Sequence, residues 1–395
     1  MHLHWLKPLL GRPGPFVTVL LDATPSEVAG ESTIVERWRS VRRELERDGA
    51  PAAALDAISE HVVVPDGRRA PRGRVIVADA DGVVVDQALR LSPARNRGVV
   101  GPAPDIGPLV RAAEDSVDLL LVVVDRTGAD LYWSGGTNPV DASPEVVEGG
   151  HDEVHKLREG PLGRRGQTRA EDSWQRNAEV VAAAVDARVR ERYPQLVVLT
   201  GDVRAVALVK DALGQQASEV LVEVPGGGRG EGVHQAAFYA HLAEALDAFR
   251  VRRRSEQVDR FREAQGRGEG AVTGIDDVVE VLRRGQVDEL VVLADTLDSR
   301  LVERTLWVGP EPLQVATSLE DLTAIGVAEG EARRMSADLA LLRAVVGQDA
   351  GVTYAGEDDV ELVDSVGAVL RWADGSTPSD SVPTQSADRR RLRTA

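Results

Sequence analysis

Short, purely apolar runs constrain this 395-residue chain more than any other feature. LLLVVV (Leu119–Val124) is closed in by Asp118 and Asp125, and in QLVVLTGD (Gln195–Asp202) the apolar run Leu196–Leu199 makes a short buried strand. Such runs are far shorter than the roughly 18 apolar residues that a membrane span requires. The first opens a hairpin and the second is followed by a helix from about Val203 to Leu213; strands alternating with helices imply an α/β fold with a partly parallel sheet.

The chain is too long for one typical domain. We expect three α/β domains in tandem, each a mixed sheet with packed helices: residues 1–112, 113–248 and 249–375, then a disordered tail over 376–395. The first opens with a buried-type strand, Phe16 to Ala23. A helix with Ile34, Val35, Trp38, Val41 and Leu45 on one face follows, then a turn-rich loop over Pro65–Gly73. RVIVADADGVVVDQAL reads as a hairpin turning at Asp79–Gly82.

In the second, VDLLLVVVDRTGADLYWSGG reads as a hairpin around Arg126-Thr127-Gly128. A helix from about Arg169 to Arg192 carries Trp174, Ala178, Val181, Val185 and Val189 in one stripe. SEVLVEV is expected as a strand, and a helix from about Val233 carries Phe238, Leu242, Leu246 and Phe249. FRVRRRSEQVDRFREA then joins the second and third domains as a basic helix, and the third repeats the alternation.

Cysteine is absent, which removes disulfides, thiol catalysis and cysteine-ligated zinc and suits a reducing, cytoplasmic setting. His4, Lys7 and Pro8 break the N-terminal apolar run, so we expect no secretory signal there. The formal charge of −17 argues against indiscriminate nucleic-acid binding. Its distribution says more: +1 over residues 1–112, −10 over 113–248 and −8 over 249–395.

Few motifs carry chemistry. His151 and His155 are four apart, but Asp152 stands where the metalloprotease pattern needs glutamate and no third ligand is evident. A polar surface segment is the better reading, and no metal or other cofactor is expected. PGGGRGEG (Pro225–Gly232) lies between a strand and a helix but lacks the Lys-Ser/Thr of a phosphate-binding loop, so it reads as a flexible connection. No Gly-x-Ser-x-Gly elbow occurs, and we expect no catalytic residue. The exception is PLGRRGQTRAEDSW (Pro161–Trp174): from Lys156 to Arg169 there are five basic residues against Glu159 alone. Thr168 and Glu171 fit a capping box that starts the helix at Arg169. This local reversal of charge favours contact with a polyanion.

GRRGQTRAEDSWQRNAEVV resembles the Gly-Gly-Gln loop and following helix in the middle domain of eukaryotic and archaeal class-I peptide release factors. Arg165 stands where the first glycine of that triplet belongs, between Arg164 and Gly166-Gln167. VDLLLVVVDRTGADLYWSGG is similar to the hairpin that opens that middle domain, and RRGQVDELVVLAD and SVGAVLRW resemble parts of the C-terminal domain. The domain order and degenerate loop are most similar to the branch containing the ribosome hibernation factor Balon.

The resemblance implies a factor that occupies the A site of idle 70S ribosomes. Gly163, Arg164, Arg165, Gly166, Gln167, Thr168 and Arg169 would meet rRNA or tRNA at the peptidyl-transferase centre. Arg68, Arg69, Arg72 and Arg74 would face the decoding region, and the third domain a translational GTPase such as elongation factor Tu. P-site tRNA is a further expected neighbour, and no membrane is involved. Residues 1–112 contain neither an Asn-Ile-Lys-Ser string nor a cysteine-bearing motif, so codon reading is not implied. Arginine at position 165 lacks the backbone freedom of glycine and argues against peptide release. The rival readings are a rescue factor hydrolysing peptidyl-tRNA through Gln167 and a ribosome-independent protein-binding module.

Overall fold

The computed structural model describes residues 3–24, 31–62, 73–134, 144–150, 163–229, 235–294 and 300–378. Its contacts divide the chain into two compact units: Met1–Asp115 together with Arg252–Ala395, and Ser116–Val251.

In the first unit, residues before Asp115 form a four-stranded antiparallel sheet in the order Gly82–Leu89, Gly73–Asp79, Phe16–Asp22, Arg97–Gly101. The side-chain period of a strand is two, so Phe16–Asp22 serves both faces. Val17, Val19 and Leu21 pack against Trp38, Val41 and Leu45 of helix Glu31–Arg47 and Leu55 and Ile58 of helix Ala52–Val62. Phe16, with Val75 and Val77 of the neighbouring strand, joins a second core. The expected hairpin turns between Asp79 and Gly82. There the Asp79 carboxylate accepts the Asp81 backbone N–H at 2.9 Å, and Gly82 takes φ +127°.

That second core is shared with residues after Arg252. Leu3, Leu6, Leu9, Ile106 and Leu109 pack into one cluster with Val278, Leu282, Leu290, Leu341 and Val352. The sheet here runs Ala271–Thr273, Val366–Leu370, Val287–Leu293, Gly351–Ala355, with the last two strands parallel and the others antiparallel. Strands Thr305–Val308, Val315–Ala316 and Arg333–Ser336 make a small separate sheet.

The second unit is a five-stranded sheet in the order Glu145–Glu148, Gly128–Ser134, Leu119–Val124, Leu196–Gly201, Leu221–Glu223. The first three strands are antiparallel and the last three parallel. Leu119–Val124 is buried at all six positions. Leu120, Val122 and Val124 meet helices Gly163–Arg192 and Val203–Ala212, while Leu119, Leu121 and Val123 meet Phe238, Leu242 and Leu246. Burying each such side chain is worth about 1.5–3 kcal/mol, which accounts for the unbroken apolar run.

Three expectations change. The segment 218–224 keeps only the strand Leu221–Glu223, because Gln215–Glu219 is helical. The helices expected near Val233 and Phe249 are one helix, Gln235–Arg267, whose Val258 and Phe261 pack on Val291, Val360 and Val369 of the first unit. Of the expected tail over 376–395, Ser376 and Thr377 are described and bonded: Arg284 donates to Ser376, and the Gln286 amide to Thr377 Oγ1 at 2.8 Å. Residues 379–395 lie outside the described residues.

Phe261 is fully buried, and a Cβ on Gly367 would come within 2.8 Å of its ring. Phe261→Ala should therefore cost about 3–5 kcal/mol in denaturant unfolding of the full chain. Glu289 faces the close backbone of Gly351 and accepts from Thr353 Oγ1 at 2.7 Å, and burial pushes its carboxyl above the ordinary range. A carboxyl whose folded pKa stands above its unfolded value costs stability where it is ionised, and that cost is lifted as pH falls through the folded value. Glu289→Gln should accordingly raise Tm by roughly 2–4 °C at about pH 7.5 and have no effect at about pH 4. An equal shift at both would assign the effect to packing.

Candidate functional site

The basic segment is rooted at the carboxyl end of the parallel strands of the second unit, the place where open α/β sheets present their ligand-binding loops. Leu119–Val124 ends on Asp125, and Leu196–Gly201 on Asp202. The Asp125 carboxylate accepts from the Thr127 N–H at 2.8 Å, the Thr127 hydroxyl at 2.6 Å and the Gly128 N–H at 3.0 Å, closing the hairpin turn. Asp202 caps helix Val203–Ala212 through the N–H groups of Arg204 and Ala205 and pairs with Arg126 at 3.2 Å.

Arg229 anchors the glycine-rich connection to this edge. Its guanidinium bridges Asp125 at 2.9 Å and Asp130 at 3.0 Å. Burial works against both partners' charges, yet their pairing and the bonds from Thr127 hold Asp125 below the ordinary carboxylate range and Arg229 above its own. Gly227 donates to Thr200 Oγ1 at 3.0 Å, and a Cβ there would lie 2.5 Å from that side chain. The first half of PGGGRGEG, expected as a flexible connection, is thus pinned: its glycine permits close approach, and its arginine fills an acidic notch.

The two ends of the basic segment are fixed separately. On the way out, strand Glu145–Glu148 is tied to helix Gly163–Arg192 by Arg188, which grips Glu145 through Nε at 2.9 Å and Nη2 at 2.8 Å. That pairing is the main cause of the lowered pKa of Glu145. Gly149 then donates to the Thr127 carbonyl at 2.8 Å and packs so closely on Asn177 that a Cβ would fall 2.1 Å from Oδ1. Asn177, itself buried, donates to the Arg126 carbonyl at 2.9 Å. On the way back, Trp174 is buried with the Arg126 guanidinium 4.6 Å and the Arg204 guanidinium 5.7 Å from its ring centre. Cation–π pairs of this kind hold an indole by electrostatics as well as by burial.

The helix begins at Gly163, not at Arg169. Thr168 is therefore inside the helix, and the expected capping box with Glu171 does not form its N-terminus. Arginine and glutamine are good helix formers, and the single Gly166 is tolerated at a cost of about 1 kcal/mol, so the helix extends through GRRGQT. The structure brings Gly163, Arg164, Arg165, Gly166, Gln167, Thr168 and Arg169 together on the first two turns of one helix; their side chains lie outside the described residues. His151 and His155 also lie outside them, and among the described residues no group of three or more His, Asp or Glu side chains is placed to hold a metal.

Of the arginines expected at the decoding region, Arg68, Arg69 and Arg72 lie outside the described residues. Arg74 is on strand Gly73–Asp79 and is bound in a fork by Asp86 of the adjacent strand, with Nε to Oδ1 at 2.7 Å. Sequence reasoning missed the Arg126, Arg204, Asn177 and Arg229 supports. The Asp-x-Thr-Gly turn at Asp125 was their only local signal, since the partners stand 30 to 104 positions apart in the chain. No helix among the described residues is long and apolar enough to cross a membrane.

Residues 118–267 match the model for bacterial archaeo-eukaryotic release factor family 2. A protein described as uncharacterized, in two strains of Mycobacterium tuberculosis, is 26% identical over 374 residues, 93% of this chain and 96% of the relative. Among solved structures, S. cerevisiae Dom34 has a TM-score of 0.39 at 10% identity, over 75% of this chain and 76% of its own; it is described as a translation termination-like factor involved in RNA quality control and interacting with Hbs1. Archaeoglobus fulgidus Pelota has a TM-score of 0.32 at 15% identity, over 76% and 80%. Over residues 118–267 the chain is thus similar to bacterial archaeo-eukaryotic release factor family 2.

Proposed function

We propose that this chain is a ribosome-binding translation factor that occupies the A site of idle ribosomes without reading a codon or releasing a peptide. One observation carries the reading: a helix start bearing Arg164, Arg165 and Arg169 is mounted on a braced root within an acidic stretch. RNA phosphates reward clustered arginine. The likeness to the release-factor family supports the ribosome as the source of that RNA.

The backbone at Arg165 favours binding over hydrolysis. A helical position is one that arginine adopts without strain, whereas a Gly-Gly-Gln loop uses the conformational freedom of glycine. In this reading Gly163–Arg169 meets rRNA or the tRNA acceptor end at the peptidyl-transferase centre. The first domain faces the decoding region, where Arg68, Arg69 and Arg72 carry the contact, because Arg74 is already engaged by Asp86. The acidic third domain meets a translational GTPase, in bacteria elongation factor Tu.

Co-sedimentation with vacant 70S ribosomes at low salt tests the proposal: the full chain should pellet with them. Arg164→Ala with Arg165→Ala should weaken binding and flatten the dependence of log K on log salt by about 1.5. Unchanged binding would make the helix start a solvated surface. In a peptidyl-tRNA release assay, the wild-type chain should leave the ester intact; robust hydrolysis lost in Gln167→Ala would establish the rescue reading instead.

A further inference from the structure

Helix Gly163–Arg192 opens against its own electrostatics. The N-terminal end of a helix carries partial positive charge and favours acidic side chains. The first turn here has none and instead holds Arg164 and Arg165, with Arg169 one turn further on. The stability of the helix does not explain arginine at these positions. An anion from outside the chain would compensate it.

The register of the helix says which side that anion meets. Successive residues turn by about 100°, and the buried Trp174, Ala178, Val181 and Val185 fix the side that faces the sheet. Positions 165, 169, 172 and 176 fall on one line on the opposite side. Asp172 and Arg176 are exposed there, as are Glu179 and Ala183 farther along. Gln167 falls on the line of Trp174, across the helix from these arginines. Arg176 also differs from the other described arginines of this helix. Arg188 grips Glu145, Arg190 donates to the Asp186 carbonyl at 3.2 Å, and the Arg192 guanidinium lies 4.7 Å from the centre of the Trp133 ring. Arg176 has no acidic or aromatic partner among the described residues. From position 165 to position 176 the line covers about 16 Å of helix, with Asp172 as its single acid.

We infer that an RNA strand runs along this outer face, its phosphates paired with Arg165, Arg169 and Arg176. The contact then extends beyond the helix start, and Gln167 is turned away from the strand. Arginine suits the task because its guanidinium can give a phosphate two parallel hydrogen bonds. Asp172, inside the face, opposes the contact by repulsion. The inference rests on the ribosome-binding reading and specifies the side of the helix that the RNA meets.

Equilibrium binding of the full chain to vacant 70S ribosomes, followed across a salt series, tests it. Arg176→Ala alters an exposed residue, so it should keep the circular dichroism of the wild type while flattening the dependence of log K on log salt by about 0.7. Arg190→Ala, on the same side about 21 Å farther along, should leave that slope unchanged. Asp172→Asn should bind roughly threefold more tightly at low salt. Wild-type binding with Arg176→Ala unchanged would overturn the inference alone, as would an equal flattening by Arg190→Ala or no gain in Asp172→Asn. A wild-type chain that fails to bind would overturn the ribosome-binding reading and this inference with it.

Discussion

A strand with no polar side must be covered twice, and the second unit is arranged around that requirement. Leu119–Val124 sends alternate residues to opposite faces and leaves none for water. Helix Gly163–Arg192 is needed on one side and the first half of Gln235–Arg267 on the other. Covering both faces leaves only the strand ends open, and the polar network of Asp125, Arg126, Asp202 and Arg229 gathers at the carboxyl end. The position of the candidate site is in this sense a by-product of the core.

What lies at that end is a mounting. Glu145–Arg188, Gly149–Asn177 and the arginine-flanked Trp174 hold the departure and return of the basic segment against the same sheet. Under the proposed ribosome-binding reading, a charged surface gains from such support, because ordering it on binding would cost conformational entropy. The chain thus combines a rigid base with a tip defined by its charge.

The sequence made the strands and their alternation with helices legible, because burial writes a period of two or of 3.6 directly into the order of residues. The hairpins at Asp79–Gly82 and Asp125–Gly128 were legible for the same reason, with turn residues at their tips. The helix start at Gly163 was not: the capping pattern at Thr168 and Glu171 is a local preference of about 1 kcal/mol, which a continuing helix of good formers outweighs. The supports of the site were illegible because each joins residues distant in the chain, such as Arg229 to Asp125. Gly149 and Gly227 look like loop glycines in sequence and prove to be contact points, where a side chain would collide with Asn177 or Thr200.

The first unit is assembled from two stretches of chain separated by Ser116–Val251. As the chain is synthesised, the N-terminal sheet can close one face on its own helices. The other face, with Leu6, Phe16, Val75 and Leu109, has most of its buried packing partners from Val272 onward. Throughout the making of the second unit that apolar face is exposed to the solvent, a period in which aggregation competes with folding. The order of segments along the chain therefore delays the closing of that core until the stretch from Arg252 onward has been made.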